Sequence, residues 1–266
     1  VHLLGSFKRI SGVAKMRIQK IAAAASVCLA AGACFAGDPP IASVSLSALK
    51  DNTLYQSTTG ALSNGIGGGF FAGRTNQTNN SIRRGLIAFD LSGIPAGAAI
   101  TSVTLRLVLD VTNSGAVNIG AHRLLNNWGE SASDAGQNAG GSGVPAESGD
   151  ATWLHKFSNT QLWSSPGGDF SATASATTSV DNPGVYLWSS AALLADVQAW
   201  QNEPAANNGW LIRGDESTAG SAKRFWSRQA QFEQNRPSLI IEYVIPTPGA
   251  LGLMSLAGLA AARRRR

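Results

Sequence analysis

From Ile41 to Val244 apolar and polar residues alternate along the chain with a dominant period of two. The clearest run is Ile100–Val111: Val103, Leu105, Leu107 and Leu109 share one face, and Ser102, Thr104, Arg106 and Asp110 the other. Val108 is its one apolar exception. That pattern predicts a half-buried antiparallel strand. Shorter runs of the same kind fall at 43–48, 53–57, 69–74, 82–90, 117–124, 152–157, 170–179, 184–188, 209–214, 222–228 and 238–244. Turn clusters such as SGIPAG (92–97) and SSPGGD (164–169) lie between them. About a dozen short strands with regular turn signals predict an all-β fold, a two-sheet antiparallel β-sandwich of the jelly-roll type.

One segment breaks the period. In SSAALLADVQAWQNEP (189–204), Leu193, Val197 and Trp200 recur at helical spacing, with Ser189 or Ser190 as N-cap and Pro204 as terminator. A short helix near 190–202, covering an open end or edge of the sandwich, is expected. Residues 131–150, SASDAGQNAGGSGVPAESGD, form the one long low-complexity loop, and loops of that length are as a rule functional or disordered. No fixed-period repeat appears, and no linker divides 37–245, which reads as a single domain.

Charge changes the picture only when split by position. The chain carries 21 basic and 16 acidic residues. Five basic residues precede Ile21 and four close the chain at Arg263–Arg266, whereas every acidic residue lies between Asp38 and Glu242. Residues 37–245 therefore hold 12 basic and 16 acidic residues, a balance that gives no electrostatic grip on nucleic acid.

The basic ends read as addresses. Residues 16–36 have the layout of a secretory signal peptide: Arg17 and Lys20, the apolar run Ile21–Ala33, then Cys34-Phe35-Ala36 as a cleavage site. A single-span anchor is the alternative, although the run is short for the ~20 residues a span needs. Ala31-Gly32-Ala33-Cys34 also has some likeness to a lipoprotein site, which would leave the protein membrane-held through Cys34. Residues 1–15 read as a misplaced start. Both cysteines, Cys28 and Cys34, fall within the signal, so a body beginning at Gly37 has no thiol for catalysis, zinc or disulfides. At the other end, 246–266 joins a proline-flanked start to an uncharged run, Gly249–Ala262, and four arginines. This layout resembles the PEP-CTERM sorting signals of bacterial surface proteins, here with Thr247 between the two prolines. The resemblance implies secretion to the cell surface, transient contact with the inner membrane and a sorting protease of the exosortase type as partner. A buried C-terminal helix is the plainer alternative.

Candidate chemistry in the body is sparse. His122 and His155 read more simply as strand-face residues than as bases, and no G-x-S-x-G elbow occurs. The glycine-rich SNGIGGGFFAG (63–73) has no β-α-β unit around it and reads as a hairpin loop. Tryptophan is the aromatic supply for a sugar platform, and Trp128, Trp153, Trp200 and Trp210 read as core residues. Trp226 differs. It alternates with Phe225 among Lys223, Arg224 and Arg228, so Arg224, Trp226 and Arg228 are expected on one outward strand face. Such a strip could hold a ligand by ring stacking and, for an acidic polysaccharide, bidentate carboxylate contacts. Its plainer reading is a cation–π-decorated solvent face. Glu130, Asp134, Glu147 and Asp150 could supply oxygen ligands to calcium; a solvated loop is the alternative.

Several segments together resemble the DNRLRE domain family. These are DNTLYQ (51–56), RRGLIAFDLSGIPAGAAITSVTLRL (83–107), HRLLNNWGE (122–130) with ATW (151–153), NNGWLIRG (207–214), FWSRQ (225–229) and RPSLIIEY (236–243). The resemblance covers most of 45–244, in the family's order, and implies a jelly-roll module described as carbohydrate-binding and found on secreted and surface proteins. The expected function is thus a secreted, non-catalytic module binding extracellular polysaccharide. Two rivals stay open: a structural or adhesive surface or matrix protein without glycan affinity, and a jelly-roll polysaccharide lyase. The lyase would need a His/Tyr/Arg/Gln cluster on one concave sheet, and no Q-x-H motif is seen.

Overall fold

The computed structural model describes residues 40–136 and 140–246. The signal-peptide, start-site and C-terminal sorting readings (1–15, 16–36 and, from Thr247, 246–266) lie outside the described residues. The described chain is all-β with one α-helix, as the alternation predicts. In chain order the strands are β1 (Ile41–Tyr55), β2 (Leu62–Ser63), β3 (Gly69–Arg74), β4 (Ile82–Phe89), β5 (Ala99–Thr112) and β6 (Val117–Arg123). There follow β7 (Val144–Pro145), β8 (His155–Phe157), β9 (Gln161–Leu162), β10 (Ala176–Val180) and β11 (Gly184–Trp188). Helix α1 (Ala191–Asn202), β12 (Trp210–Arg213), β13 (Lys223–Trp226) and β14 (Ser238–Val244) complete the fold.

All the ladders are antiparallel, and the main sheet has ten strands. One section runs from the first half of β1 through β14 and β5 to β11, with β13 continuing along β5. The other runs from the second half of β1 through β4, β12 and β6 to β10. Strands β1 and β3 each pair into both sections, so β1, β14, β5, β13, β3 and β4 close a barrel-like ring. The arrangement is sandwich-like: side chains from both sections, among them Leu105, Leu107, Ile241, Ile87, Ala121 and Ile212, meet in one apolar core. Helix α1 adds Leu193, Val197 and Trp200 to it. Its N-cap is Ser190, whose hydroxyl accepts the Leu193 N–H at 2.9 Å, and Pro204 opens a 3-10 turn just beyond the helix.

A second core lies on the outer face of the β1–β4–β12 section. Leu54, Leu86, Ala88 and Leu211 from that face pack with Leu124, Trp128, Ala151, Trp153 and Trp163 of the β6–β10 excursion. This layer explains two departures from the expected strands. The runs at 43–48 and 53–57 are one strand, β1, kinked between Ala48 and Lys50. Its first half alternates, whereas Asp51–Tyr55 is buried throughout because apolar layers cover both faces. The run at 152–157 is strand only from His155, because Thr152 Oγ1 accepts the N–H groups of Leu154 and His155 and bends the chain before it. Likewise 170–179 is strand only from Ala176.

The described parts of the long loop are tied to the body by hydrogen bonds. Asp150 accepts the N–H of Ser131 at 2.6 Å and of Glu147 at 2.9 Å. The Tyr55 hydroxyl donates to Gly140 O at 2.6 Å, and Arg83 Nε to Gly141 O at 2.9 Å. In the DNTLY stretch, Asn52 Oδ1 accepts from Thr53 N, Ser63 Oγ and Asn64 N.

Candidate functional site

Strand β13 turns Phe225 into the main core and Arg224 and Trp226 to the opposite face. The Arg224 guanidinium lies 5.0 Å from the Trp226 ring centroid, in cation–π range. Opposite it, Arg224 pairs with Val111 and Phe225 with Leu109, leaving Asp110 as the extra residue of a β-bulge. The bulge brings the Asp110 carboxylate onto Arg224 as an ion pair, with Arg224 buried and Asp110 partly so. It also leaves Val111 exposed. Beside this pair opens a hollow of about 270 Å³, walled by Phe71, Asn76, Asn113, Gly141, Gly220 and Arg224. Both asparagines are exposed. Trp226 is half-buried, whereas Trp128, Trp153, Trp163, Trp188, Trp200 and Trp210 are all buried.

Arg228 does not share the strip. Strand β13 stops at Trp226, because Ser227 Oγ accepts the Gln229 N–H and donates to Gly67 O, turning the chain. Arg228 instead forks onto Glu130, Nη2 to Oε2 at 2.6 Å and Nε to Oε1 at 3.0 Å, while its own N–H donates to Asp51 Oδ2 at 2.7 Å. Glu130 accepts further bonds from Asp51 N and Gln229 Nε2. Burial pushes the Asp51 carboxyl well above its ordinary range, the Arg228 N–H opposing. The group clasps β1 to the turn after β13.

The calcium set is not assembled either. Glu130 serves the clasp, and Asp134 Oδ1 accepts the Gly136 N–H at 2.7 Å in a local turn. Glu147 is exposed, and Asp150 is occupied by backbone N–H groups. Among the described residues no three His, Cys, Asp or Glu side chains converge as metal ligands.

The sequence matches no family model and no curated protein.

Two polar groups had no sequence signal. Arg84 forks onto Glu216 at 2.7 and 3.0 Å, across 132 positions of chain, and Arg213 adds a contact at 3.0 Å. Arg84 also donates to Gly167 O and lies over the Trp153 and Phe170 rings. His122 packs edge-on against Phe170, its Nδ1 2.9 Å from Ser171 O, and burial lowers its pKa. The second group is Lys50, whose Nζ donates to Asn127 Oδ1 at 2.8 Å and to Trp128 O and sits 4.2 Å from the Trp128 ring centroid. Burial pushes its amine down to about 8, Glu130 opposing. An NMR titration of ¹³C-dimethylated lysine should therefore place Lys50 near pH 8. The folded chain releases this proton before the unfolded chain does, so stability rises with pH from about 8 toward the ordinary lysine value. A midpoint near 10.5, the unshifted value, would remove that linkage.

Proposed function

We propose that the chain is a non-catalytic glycan-binding module of jelly-roll type, secreted to a bacterial cell surface. The observation that carries the reading is the Arg224–Trp226 face with its amide-walled hollow. An aromatic ring, a guanidinium–carboxylate pair and two exposed amides are recognition groups for a polyol. Arg224 and Asp110 offer donor and acceptor side by side, which suits vicinal sugar hydroxyls; an acidic sugar would compete with Asp110 for the guanidinium. The surface address rests on 16–36 and 246–266, and through the latter on an exosortase-type protease and transient contact with the inner membrane. The likeness of 51–56, 83–107, 122–130 with 151–153, 207–214, 225–229 and 236–243 to the DNRLRE family supports the same reading.

A glycan array probed with the purified full chain tests this, using neutral and uronate-containing oligosaccharides. For whichever glycan binds, Trp226→Ala should weaken affinity at least tenfold while lowering stability by no more than about 1 kcal/mol. Unchanged affinity would move the site elsewhere. A second reading, a structural or adhesive surface module without glycan affinity, is favoured by the burial of the other tryptophans and by the layer covering one sheet face. Silence across the array would select it.

A further inference from the structure

Lys50 and Asn127 stand 77 positions apart in the chain and meet at the second core. Strand β1 sets Lys50 opposite Ala88, on the outer face of its section, and the side chain ends at the segment that follows β6. Its Nζ lies 2.8 Å from Asn127 Oδ1, donates also to Trp128 O and sits over the Trp128 ring. Asn127 Oδ1 accepts a second bond, from the Trp128 N–H at 2.8 Å. The side-chain carbonyl is thus polarised by a backbone donor as well as by the amine. The same donor would stabilise negative charge developing on that oxygen.

Lys223 shows what a purely structural ammonium looks like here. It is buried, and its Nζ is held by three backbone carbonyls and the Thr112 hydroxyl, none of which an amine attacks readily. Lys50 differs in having a primary amide as a partner, which is an acyl group with a leaving nitrogen. Burial holds its amine down to about 8, so near that pH a large share is neutral and nucleophilic. Both residues line a hollow of about 410 Å³, and Asn127 is exposed, so a small leaving group has a way out. Two carboxylates bear on the pair. Glu130 acts on the amine through its charge, and Asp90, also on the hollow, is taken up by the N–H and hydroxyl of Ser92.

We propose that Lys50 and Asn127 join in an intramolecular isopeptide bond. The neutral Nζ attacks Asn127 Cγ. A bond forms between Cγ and Nζ, the bond from Cγ to Nδ2 breaks, and Nδ2 leaves as ammonia. Nζ gives up one proton and Nδ2 takes one; Glu130, the carboxylate whose charge already acts on the amine, relays it. The step needs no oxidant, reductant or cofactor. Holding amine and amide in contact supplies the effective concentration that such a reaction lacks between separate molecules. The product ties the buried half of β1 to the segment carrying Trp128, and the covalent loop it closes restricts the unfolded chain. The proposal is independent of the glycan reading, because the bond forms within the chain.

Intact mass of the purified full chain, incubated at pH 6 and at pH 9, tests this. The mass should settle one ammonia below that of the unreacted chain, and faster at pH 9, where the amine is neutral. The tryptic map should then join the peptide carrying Asn127 to one in which cleavage after Lys50 is lost. Lys50→Arg, which keeps the charge and the donors, and Asn127→Ala should both retain their full mass. Should either variant fail to fold, the map of the wild type decides alone. The titration expected for dimethylated Lys50 reads the open pair, since that amine has no hydrogen left to exchange for the acyl group. An unchanged wild-type mass at pH 9 overturns the proposal. So does a loss of ammonia that persists in Lys50→Arg, which would be a succinimide at an asparagine.

Discussion

Replacing Trp153 with alanine should lower the stability of the chain by about 3–5 kcal/mol, read as a shift of the urea midpoint. The ring is only 9% exposed and packs with Trp128 and Trp163 over Leu54, Leu86 and Leu211. Arg84 lies 4.9 Å from its centroid, and the Trp153 carbonyl accepts the Gly167 N–H at 2.6 Å. A Cβ on Gly167 would approach the ring to 2.9 Å, so the backbone there is already as close as glycine allows. Truncation would leave a cavity beneath Gly167 and strip the guanidinium of its partner face. Against a typical total of about 5–15 kcal/mol, the loss is severe. A shift below about 1 kcal/mol, comparable with that expected at Trp226, would mean that the second apolar layer adds little to the fold.

The legible parts of this fold are those whose signal is local. Strand β5 is readable because Val103, Leu105, Leu107 and Leu109 alternate with polar residues, and α1 because its cap, its apolar spacing and its proline fall within sixteen positions. The outward placement of Trp226 follows from its alternation with the buried Phe225 in the same way. What fails is whatever depends on a partner far along the chain. The buried Asp51 and Asn52 interrupt the apolar pattern of β1, and only Arg228, Ser63 and Asn64 explain why they tolerate burial. Arg228 looks like a third member of the strip until Ser227 ends the strand. The bulge that brings Asp110 onto Arg224 leaves no mark on the sequence, and so the neutral character of that face was not foreseeable. The acidic residues of 131–150 suggest a cation site by composition, yet the carboxylates of Asp134 and Asp150 accept backbone N–H groups that glycine-rich turns would otherwise leave unpaired.

The Arg84–Glu216–Arg213 cluster is the clearest case, and it carries the other large effect. The side chains of Arg84 and Glu216 are 13% and 11% exposed, so the pair is largely withdrawn from water. Replacing Glu216 with glutamine keeps the shape but leaves two guanidinium groups facing a neutral amide. Breaking a buried pair from one side costs about 3–5 kcal/mol, because the remaining charge stays desolvated. Arg213 is 40% exposed and can turn to solvent, so the cost falls mainly on Arg84, which is held between Gly167 O and the Trp153 and Phe170 rings. The same carboxylate sets a pH signature. Burial raises the pKa of Glu216, but the bonds from Arg84 and Arg213 outweigh it, and the folded-state pKa lies below the ordinary 4.5. The unfolded chain therefore takes up this proton first as pH falls. The stability this group contributes is complete above about pH 4.5 and is lost as pH drops toward the lowered folded value. Urea midpoints from pH 7 to pH 3 should show the wild type losing stability over that interval, with Glu216→Gln starting lower and losing less. Parallel curves for the two proteins would mean that the carboxylate is no better stabilised in the fold than in the unfolded chain, and that the cluster contributes packing but no net electrostatic stability.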